Sequence, residues 1–388
     1  MSWDIVLYGA TGFTGRQAAA FLADHAPPGL RLAIAGRRLD ALEAVAASLS
    51  REVGVLVADA SDQAALDRMV RGARVVASTA GPFARYGDGV VAAAMAHGAH
   101  YCDITGETPW VRGLIDRYHA VAVAQGTTLV PFSGFDSVPS DLGVLLLAQA
   151  ARERGAGLGR VQAAFAMKGG FNGGTLASSL AMAEDGHLGA LADPFALVPE
   201  GGDAALAQSQ RYPRFDTETG RWHTAFLMAP VNTAVVRRSA ALAALAGESY
   251  GARFAYGEAM ETRSRLQAFA LAQGLRFGPL ALRSATIRRL LARFGPSPGE
   301  GPSQAERDGG FFRARFRGEL DTGEVLHAEV SATGDPGNRA TVQLLGATAL
   351  HLAEHGGAGG VLTPATAGGS LLIERLRSLG VVAECKEA

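Results

Sequence analysis

Lysine is almost missing from this chain of 388 residues: Lys168 and Lys386 are the only two, and the other basic side chains are arginines. Alanine and glycine are abundant, so the arginine excess reads as compositional bias, and an arginine argues for phosphate recognition only through its position. Cysteine is as scarce. Cys102 and Cys385 stand far apart, without the spacing of a zinc site or the density of a disulfide scaffold, so no metal is expected and a reducing cytoplasm is the simplest compartment. Net charge is nearly absent: a formal −1 offers no bulk attraction to nucleic acid or to an anionic membrane. No apolar run reaches the roughly 18 residues of a membrane span. A strand pattern begins at Asp4, so no signal peptide is expected. What remains, 48% hydrophobic and 19% charged, is the composition of a soluble globular protein long enough for two domains.

The most informative stretch is Asp4-Ile-Val-Leu-Tyr-Gly-Ala-Thr-Gly-Phe-Thr-Gly15. Ile5, Val6 and Leu7 read as a buried parallel strand, and the breaker-free segment from Arg16 reads as a helix. Between them Gly9, Gly12 and Gly15 recur every third position. This is a dinucleotide-binding opening, with Ala10 where the G-x-G-x-x-G pattern has glycine. Gly9 serves the tight turn, Gly12 the approach of a pyrophosphate, and Gly15 the packing of helix on strand; the helix N-terminus offers N–H groups and a positive dipole end to phosphate. A structural βα turn would use glycines in the same way.

Strand and helix patterns continue to alternate through Thr127–Pro131, which implies a parallel, doubly wound sheet whose ligand lies at the carboxyl ends of its strands. The loops there carry the candidates. Arg37 and Arg38 follow strand two where an NAD site would place a carboxylate, and two guanidiniums favour the 2′-phosphate of NADP(H). Asp59 is placed to accept from an adenine amino group or to cap a helix, and Ser61 is the expected cap of Asp62–Val70. Ala80, Gly81 and Pro82 lie where a nicotinamide would rest, and Tyr86 either donates a proton or stacks. Asp103 and Glu107 form an acid–base pair or cap the helix starting near Pro109, with Thr108 the other candidate cap. The loop Ser133–Asp141 brings Gly134, Asp136 and Ser137 to the same crevice.

Taken together, Tyr8–Arg16, Ala35–Arg37, Ala80–Asp88, Tyr101–Glu107 and Gly134–Asp141 resemble the saccharopine dehydrogenase family, most closely its branch of trans-acting enoyl reductases and saccharopine dehydrogenase-like oxidoreductases. Gly170–Ser178, Pro298–Ser303, Gly334–Gly337 and Gly360–Ala365 extend the resemblance over nearly the whole chain. It implies an α/β protein: a Rossmann doubly wound parallel sheet, a second α/β domain with a mixed sheet, and a C-terminal segment returning to the Rossmann domain. Gly9, Thr11, Gly12, Phe13, Arg37 and Gly81 would then be cofactor contacts. One departure stands out, since the crevice motifs hold no lysine to act on a substrate amine.

The expected units are residues 1–155, 156–345 and 346–388. In the second half, Arg160–Met167, Phe311–Arg317, Val325–Ala332 and Ala340–Leu345 alternate as strands, with Thr175 as a helix cap and 185–221 mostly loop. Helices are expected at Thr348–His355 and Gly368–Leu379. From Met260 to Phe294, apolar residues interleave with arginines as amphipathic helices. They would lie on a membrane, gate a lipid path, form a homodimer interface or cover a core. The combined reading is an NADPH-dependent oxidoreductase that reduces an activated C=C of a small-molecule or acyl-chain substrate, with Tyr86, Asp136 and Ser137 as candidate proton donors. The alternatives are an imine or amine oxidoreductase and a non-catalytic NADP(H)-binding scaffold.

Overall fold

Short apolar runs alternating with alanine-rich helices build the first half of the computed structural model. It describes residues 2–170, 172–184, 186, 193–199, 209–295, 297 and 299–386, apart from the Thr175 side chain. The expected Thr175 cap, Phe171 and Pro298 of the motifs, and part of the 185–221 loop lie outside that description. In chain order the first half runs β1 (Trp3–Tyr8), α1 (Phe13–His25), β2 (Leu32–Gly36), α2 (Leu39–Ala47), β3 (Gly54–Val57), α3 (Gln63–Val70) and β4 (Ala73–Ser78). It continues with α4 (Phe83–Tyr86), α5 (Asp88–His97), β5 (His100–Asp103), α6 (Thr108–Gln125), β6 (Thr128–Val130) and α7 (Val138–Glu153). The second half holds β7 (Leu158–Lys168), α8 (Gly173–Glu184), β8 (Arg214–Asp216), β9 (Arg221–Thr224), α9 (Ala229–Leu245) and β10 (Ala255–Thr262). After these come α10 (Arg265–Leu282), α11 (Ala285–Phe294), α12 (Gln304–Asp308), β11 (Phe311–Leu320) and β12 (Val325–Thr333). A π-helical turn Pro336–Ala340 leads into α13 (Thr341–His355), β13 (Gly360–Val361), α14 (Pro364–Ser378) and β14 (Val382–Lys386).

The first sheet is parallel with order β13-β6-β5-β4-β1-β2-β3, the doubly wound arrangement with its switch point between β1 and β4. Ile5, Val6 and Leu7 of β1 are fully buried, each worth about 1.5–3 kcal/mol over leaving it exposed. The second sheet, β14-β12-β11-β7-β10-β9-β8, is mixed: β7 pairs parallel with β10 and its other pairings are antiparallel.

Three of the expected boundaries move. α7 follows the Rossmann strands in sequence but packs on β11, β12 and β14, and Gly143 is bare because the Phe316 ring lies against it. The division between the two cores therefore falls before α7 rather than near residue 155. Ala340–Leu345 is no strand. Ala340 ends the π-helical turn and Thr341–Leu345 open α13, which is buried nearly all round against α1, β1, β4 and β5, and a helix buried on nearly every face shows no clean period to read. The C-terminal segment returns to both cores: β13 extends the Rossmann sheet beside β6, and β14 then pairs with β12. The long buried helix α9 was not anticipated at all.

Candidate active site

The three glycines of the opening turn have three different reasons to be glycine. Gly9 has φ +83°, and a Cβ there would lie 2.9 Å from Ala80 N. Gly15 is buried with its Cα against the backbone of Gly9 and Ala10, which sets the closeness of α1 to β1. Gly12 has an ordinary φ of −71°, and a Cβ there would meet only Gly9 O, at 3.4 Å. Nothing among the described residues requires glycine at 12, so the open space beside it suits an approaching pyrophosphate. No side chain caps α1, which leaves its first N–H groups to such a ligand. Behind the turn, Arg37 is exposed after β2, in the electrostatic reach of Tyr8 and Asp59. Burial pushes the Tyr8 hydroxyl up to about 12. Asp59 accepts from Ser61 N at 2.9 Å and Ser61 Oγ at 2.7 Å, which holds its carboxyl below the usual range. Asp62, not Ser61, caps α3, accepting from Ala65 N at 3.0 Å.

Across the switch point, Thr79 Oγ1 donates toward Tyr8 O and Gly9 O, both at 3.2 Å, and ties the β4 loop to the glycine turn. Ala80, Gly81 and Pro82 follow, with Gly81-Pro82 in the cis form. Glu107 is buried, and its two carboxylate oxygens accept from Phe83 N and Ala84 N, both at 2.8 Å. It therefore caps α4 across the crevice rather than its own helix α6. Asp103 is fully buried; burial pushes it up to about 7, while Thr105 N donates to it at 3.0 Å. Its Oδ2 has no hydrogen-bond partner among the described residues.

The β6 loop begins at Phe132, which has φ +62°, a conformation that non-glycine residues hold only under firm packing. Gly134 is bare because a Cβ would lie 3.3 Å from Thr341 and 3.4 Å from Ile104, so packing accounts for it. Ser137 is fully buried and donates to Asn232 Oδ1 at 3.3 Å. That contact joins it to a network in which Ser140, Tyr256 and Asn232 donate to Glu258 at 2.6, 2.7 and 3.1 Å, with burial pushing Glu258 up to about 7. Ser137 is thereby removed from the candidate proton donors. Asp136 differs: it is partly exposed, burial pushes its carboxyl up to about 6, and it has no hydrogen-bond partner among the described residues. A side chain at Gly106 would begin 3.5 Å from its Oδ2 and 4.0 Å from Met228 Cε, so the missing side chain leaves a small space beside the carboxyl. Tyr86 is exposed at the end of α4.

The second sheet supplies the opposite wall. Asp335 is fully buried and accepts from Asn338 N at 2.9 Å, Arg339 N at 3.2 Å and Gly170 N at 3.0 Å. Asn172 donates to Asn338 Oδ1 at 2.7 Å, and Gly173 N to Glu300 O at 3.0 Å. These three motifs converge on the glycine turn. Gly301 lies against the Phe13 ring, Arg307 stacks 5.4 Å above that ring, and Arg16 donates to Thr11 O at 2.7 Å and Gly299 O at 3.3 Å. Phe13 thus belongs to the contact between domains. Helix α8 then crosses the β4 loop. Ser178 Oγ lies 3.4 Å from where a Gly81 Cβ would stand, Arg85 pairs with Glu184 at 3.1 Å, and Ala181 and Met182 close a small cleft with Pro82, Glu107 and Trp110.

Sequence reasoning missed the network under the β6 loop because α9 was not read. A signal was present: Asn232, Thr233, Arg237 and Arg238 interrupt an otherwise apolar stretch, and buried polar groups need partners. Arg238, 2% exposed, donates to Leu197 O at 2.7 Å and to Val361 O, tying α9 to β13.

A parallel doubly wound sheet, an uncapped helix at a glycine turn and facing loops across the switch point define a dinucleotide-binding protein of the oxidoreductase class. Residues 5–130 match the saccharopine dehydrogenase NADP binding domain, and the open space at Gly12 and the guanidinium of Arg37 fit NADP(H). A Mycobacterium tuberculosis protein provisionally named a trans-acting enoyl reductase is 41% identical, over 98% of this chain and 96% of its own length. The trans-acting enoyl reductase of Mycobacterium ulcerans is 36% identical over 98% of this chain and 97% of its own. Saccharopine dehydrogenase (L-Glu forming) of Saccharomyces cerevisiae shares the fold, with a TM-score of 0.58, 14% identity and coverage of 98% of this chain and 99% of that one. This chain belongs to the saccharopine dehydrogenase family, in the branch of the trans-acting enoyl reductases.

Proposed function

We propose that the protein is an NADPH-dependent reductase of an activated C=C on an acyl substrate. The observation that carries this reading is the full-length likeness to proteins named trans-acting enoyl reductases, which includes the second domain as well as the nucleotide half. Neither lysine stands on the β4–β6 loops: Lys168 is exposed at the end of β7, and Lys386 pairs with Glu384 and Glu329 at 3.0 and 3.5 Å. That weighs against chemistry on a substrate amine.

NADPH bound at the glycine turn supplies a hydride for the β-carbon of the alkene. The protein holds the ring and substrate in register through the Thr79–Pro82 loop, braced by Glu107 from below and α8 from above. Asp136 is the proton donor to the α-carbon: its raised pKa keeps part of its population protonated near neutrality, and no acceptor among the described residues competes for that proton. Tyr86 orients the substrate carbonyl from the end of α4.

The test is NADPH consumption against enoyl thioesters, imines and ketones. Enoyl thioesters should be reduced fastest. Faster turnover of imines would replace this reading with the amine alternative, and tight NADPH binding without turnover of any of them would favour a scaffold.

A further inference from the structure

Helices α10 and α11 are helices of the second half with little cover. Only Ala268 and Ala272 of α10 are buried, and no residue of α11 is. Yet Leu266, Phe269, Phe277 and Leu280 of α10 are 77%, 54%, 54% and 61% exposed, and Leu290 and Phe294 of α11 are 56% and 75% exposed. At about 100° per residue the four α10 positions fall within an arc of about 80°, whose centre lies about 100–140° round the helix from the two buried alanines. An apolar stripe of this kind on a soluble protein marks a contact surface.

Its charge says what the contact is made with. Between Thr262 and Gly299 there is no Asp or Glu, and there are seven arginines, in a chain whose formal net charge is −1. Arg288 is used internally, donating to Leu282 O and Arg283 O at 2.9 Å, where it caps the end of α10. Arg276 and Arg293 lie over the exposed rings of Phe277 and Phe294, at 5.3 and 5.7 Å. A second copy of this chain would bring two sets of cations together, which disfavours an isologous pairing. The apolar residues are each more than half exposed, without the partial cover that the walls of a groove would give, which disfavours a docked peptide or helix. Exposed apolar stripes flanked by arginines whose stems can lie along the boundary are the form of an interfacial helix pair.

We infer that α10 and α11 seat the protein on an anionic phospholipid surface. Helix α8 touches both helices, Leu176 lies against Gly295, and the other side of α8 crosses the Gly81 loop. The lipid-facing pair and the crevice therefore share one helix, a short path from the surface to the site. The inference stands on the exposed face and its charge, whatever bond the enzyme reduces.

Sedimentation of the full-length protein with vesicles tests it. Vesicles of phosphatidylcholine with phosphatidylglycerol should carry the protein down, those of phosphatidylcholine alone much less, and salt near 500 mM should release it. The double substitution Phe269→Glu, Phe277→Glu should lower vesicle affinity at least about tenfold, with melting temperature and NADPH affinity unchanged. As a charge-only variant, Arg276→Ser should weaken binding about fivefold. No enrichment on the anionic vesicles overturns the inference, as does full binding by the double variant. Salt-sensitive self-association that the double variant abolishes would assign the face to a second copy instead. Capture of an acidic carrier protein without vesicle binding would assign it to protein.

Discussion

Glu107 and Asp136 stand at the same edge of one sheet, the first buried and the second partly exposed, and they do opposite things. Glu107 is consumed by the fold: both oxygens take backbone N–H groups at 2.8 Å, and through them it holds the start of α4, where the β4 loop ends. Asp136 is left over, with a raised pKa and no partner among the described residues. Gly15 and Gly12 repeat the contrast in the backbone, one filled against by Gly9 and Ala10, the other open. A group whose bonding is complete within the protein explains structure. A group whose bonding is incomplete, at the end of a parallel strand, points to a ligand.

The contrast can be broken most sharply at the carboxylates. Asp136→Asn should lower kcat by about 10²–10⁴-fold with NADPH affinity unchanged, as loss of a general acid requires. A fall of less than tenfold would return the proton to another donor. Gly12→Val should raise the NADPH dissociation constant at least about 100-fold, the effect of a side chain in the pyrophosphate space, while the melting curve holds. Gly15→Val should instead lose the fold, and matching behaviour of the two would erase their distinction. Glu107→Gln keeps an acceptor for one N–H and strands the other, so denaturant unfolding should show a loss of about 1–3 kcal/mol. Arg37→Ala should weaken NADPH about tenfold and NADH hardly at all, a difference of about 1.4 kcal/mol; equal losses would end its 2′-phosphate role.

The smallest effect is in pH. If Asp136 donates the proton, kcat should fall as pH rises through about 6. Stability carries a related signature. Asp103, Asp136, Asp141 and Glu258 are raised by burial to about 7, 6, 6 and 7, so between pH 4 and 7 the folded protein binds more protons than the unfolded chain. Stability from these groups is therefore full below their unfolded values and lost as pH rises through 6 and 7. Glu258→Gln, which cannot ionise, should flatten that slope; an unchanged slope would remove Glu258 from the account.

Local chemistry made much of this readable. Ile5–Leu7 with Gly9, Gly12 and Gly15 declares strand, turn and helix within a dozen positions, because each of those preferences acts between near neighbours in the chain. Asp136 was legible only as one of three acids or hydroxyls. Asp136 and Ser137 are adjacent, and no local rule says that Ser137 reaches Asn232 on a helix far along the chain while its neighbour reaches nothing. The first turns of α13 were read as a strand for a related reason. A helix buried on all sides loses its period, and the sheet that buries it is chosen by long-range packing.

By itself, then, the sequence determined the doubly wound half, its phosphate turn, the preference for NADP(H) behind Arg37 and the family, since these rest on short-range backbone preferences and on motifs in fixed order. Tertiary structure alone decided which polar groups are satisfied and which are left for a ligand. It decided that Glu107 braces α4, that Phe13 faces Gly301 rather than standing free, and that Val382–Lys386 forms an edge of the second sheet. Satisfaction of a buried polar group depends on atoms brought together from distant parts of the chain, and only the folded arrangement contains that information.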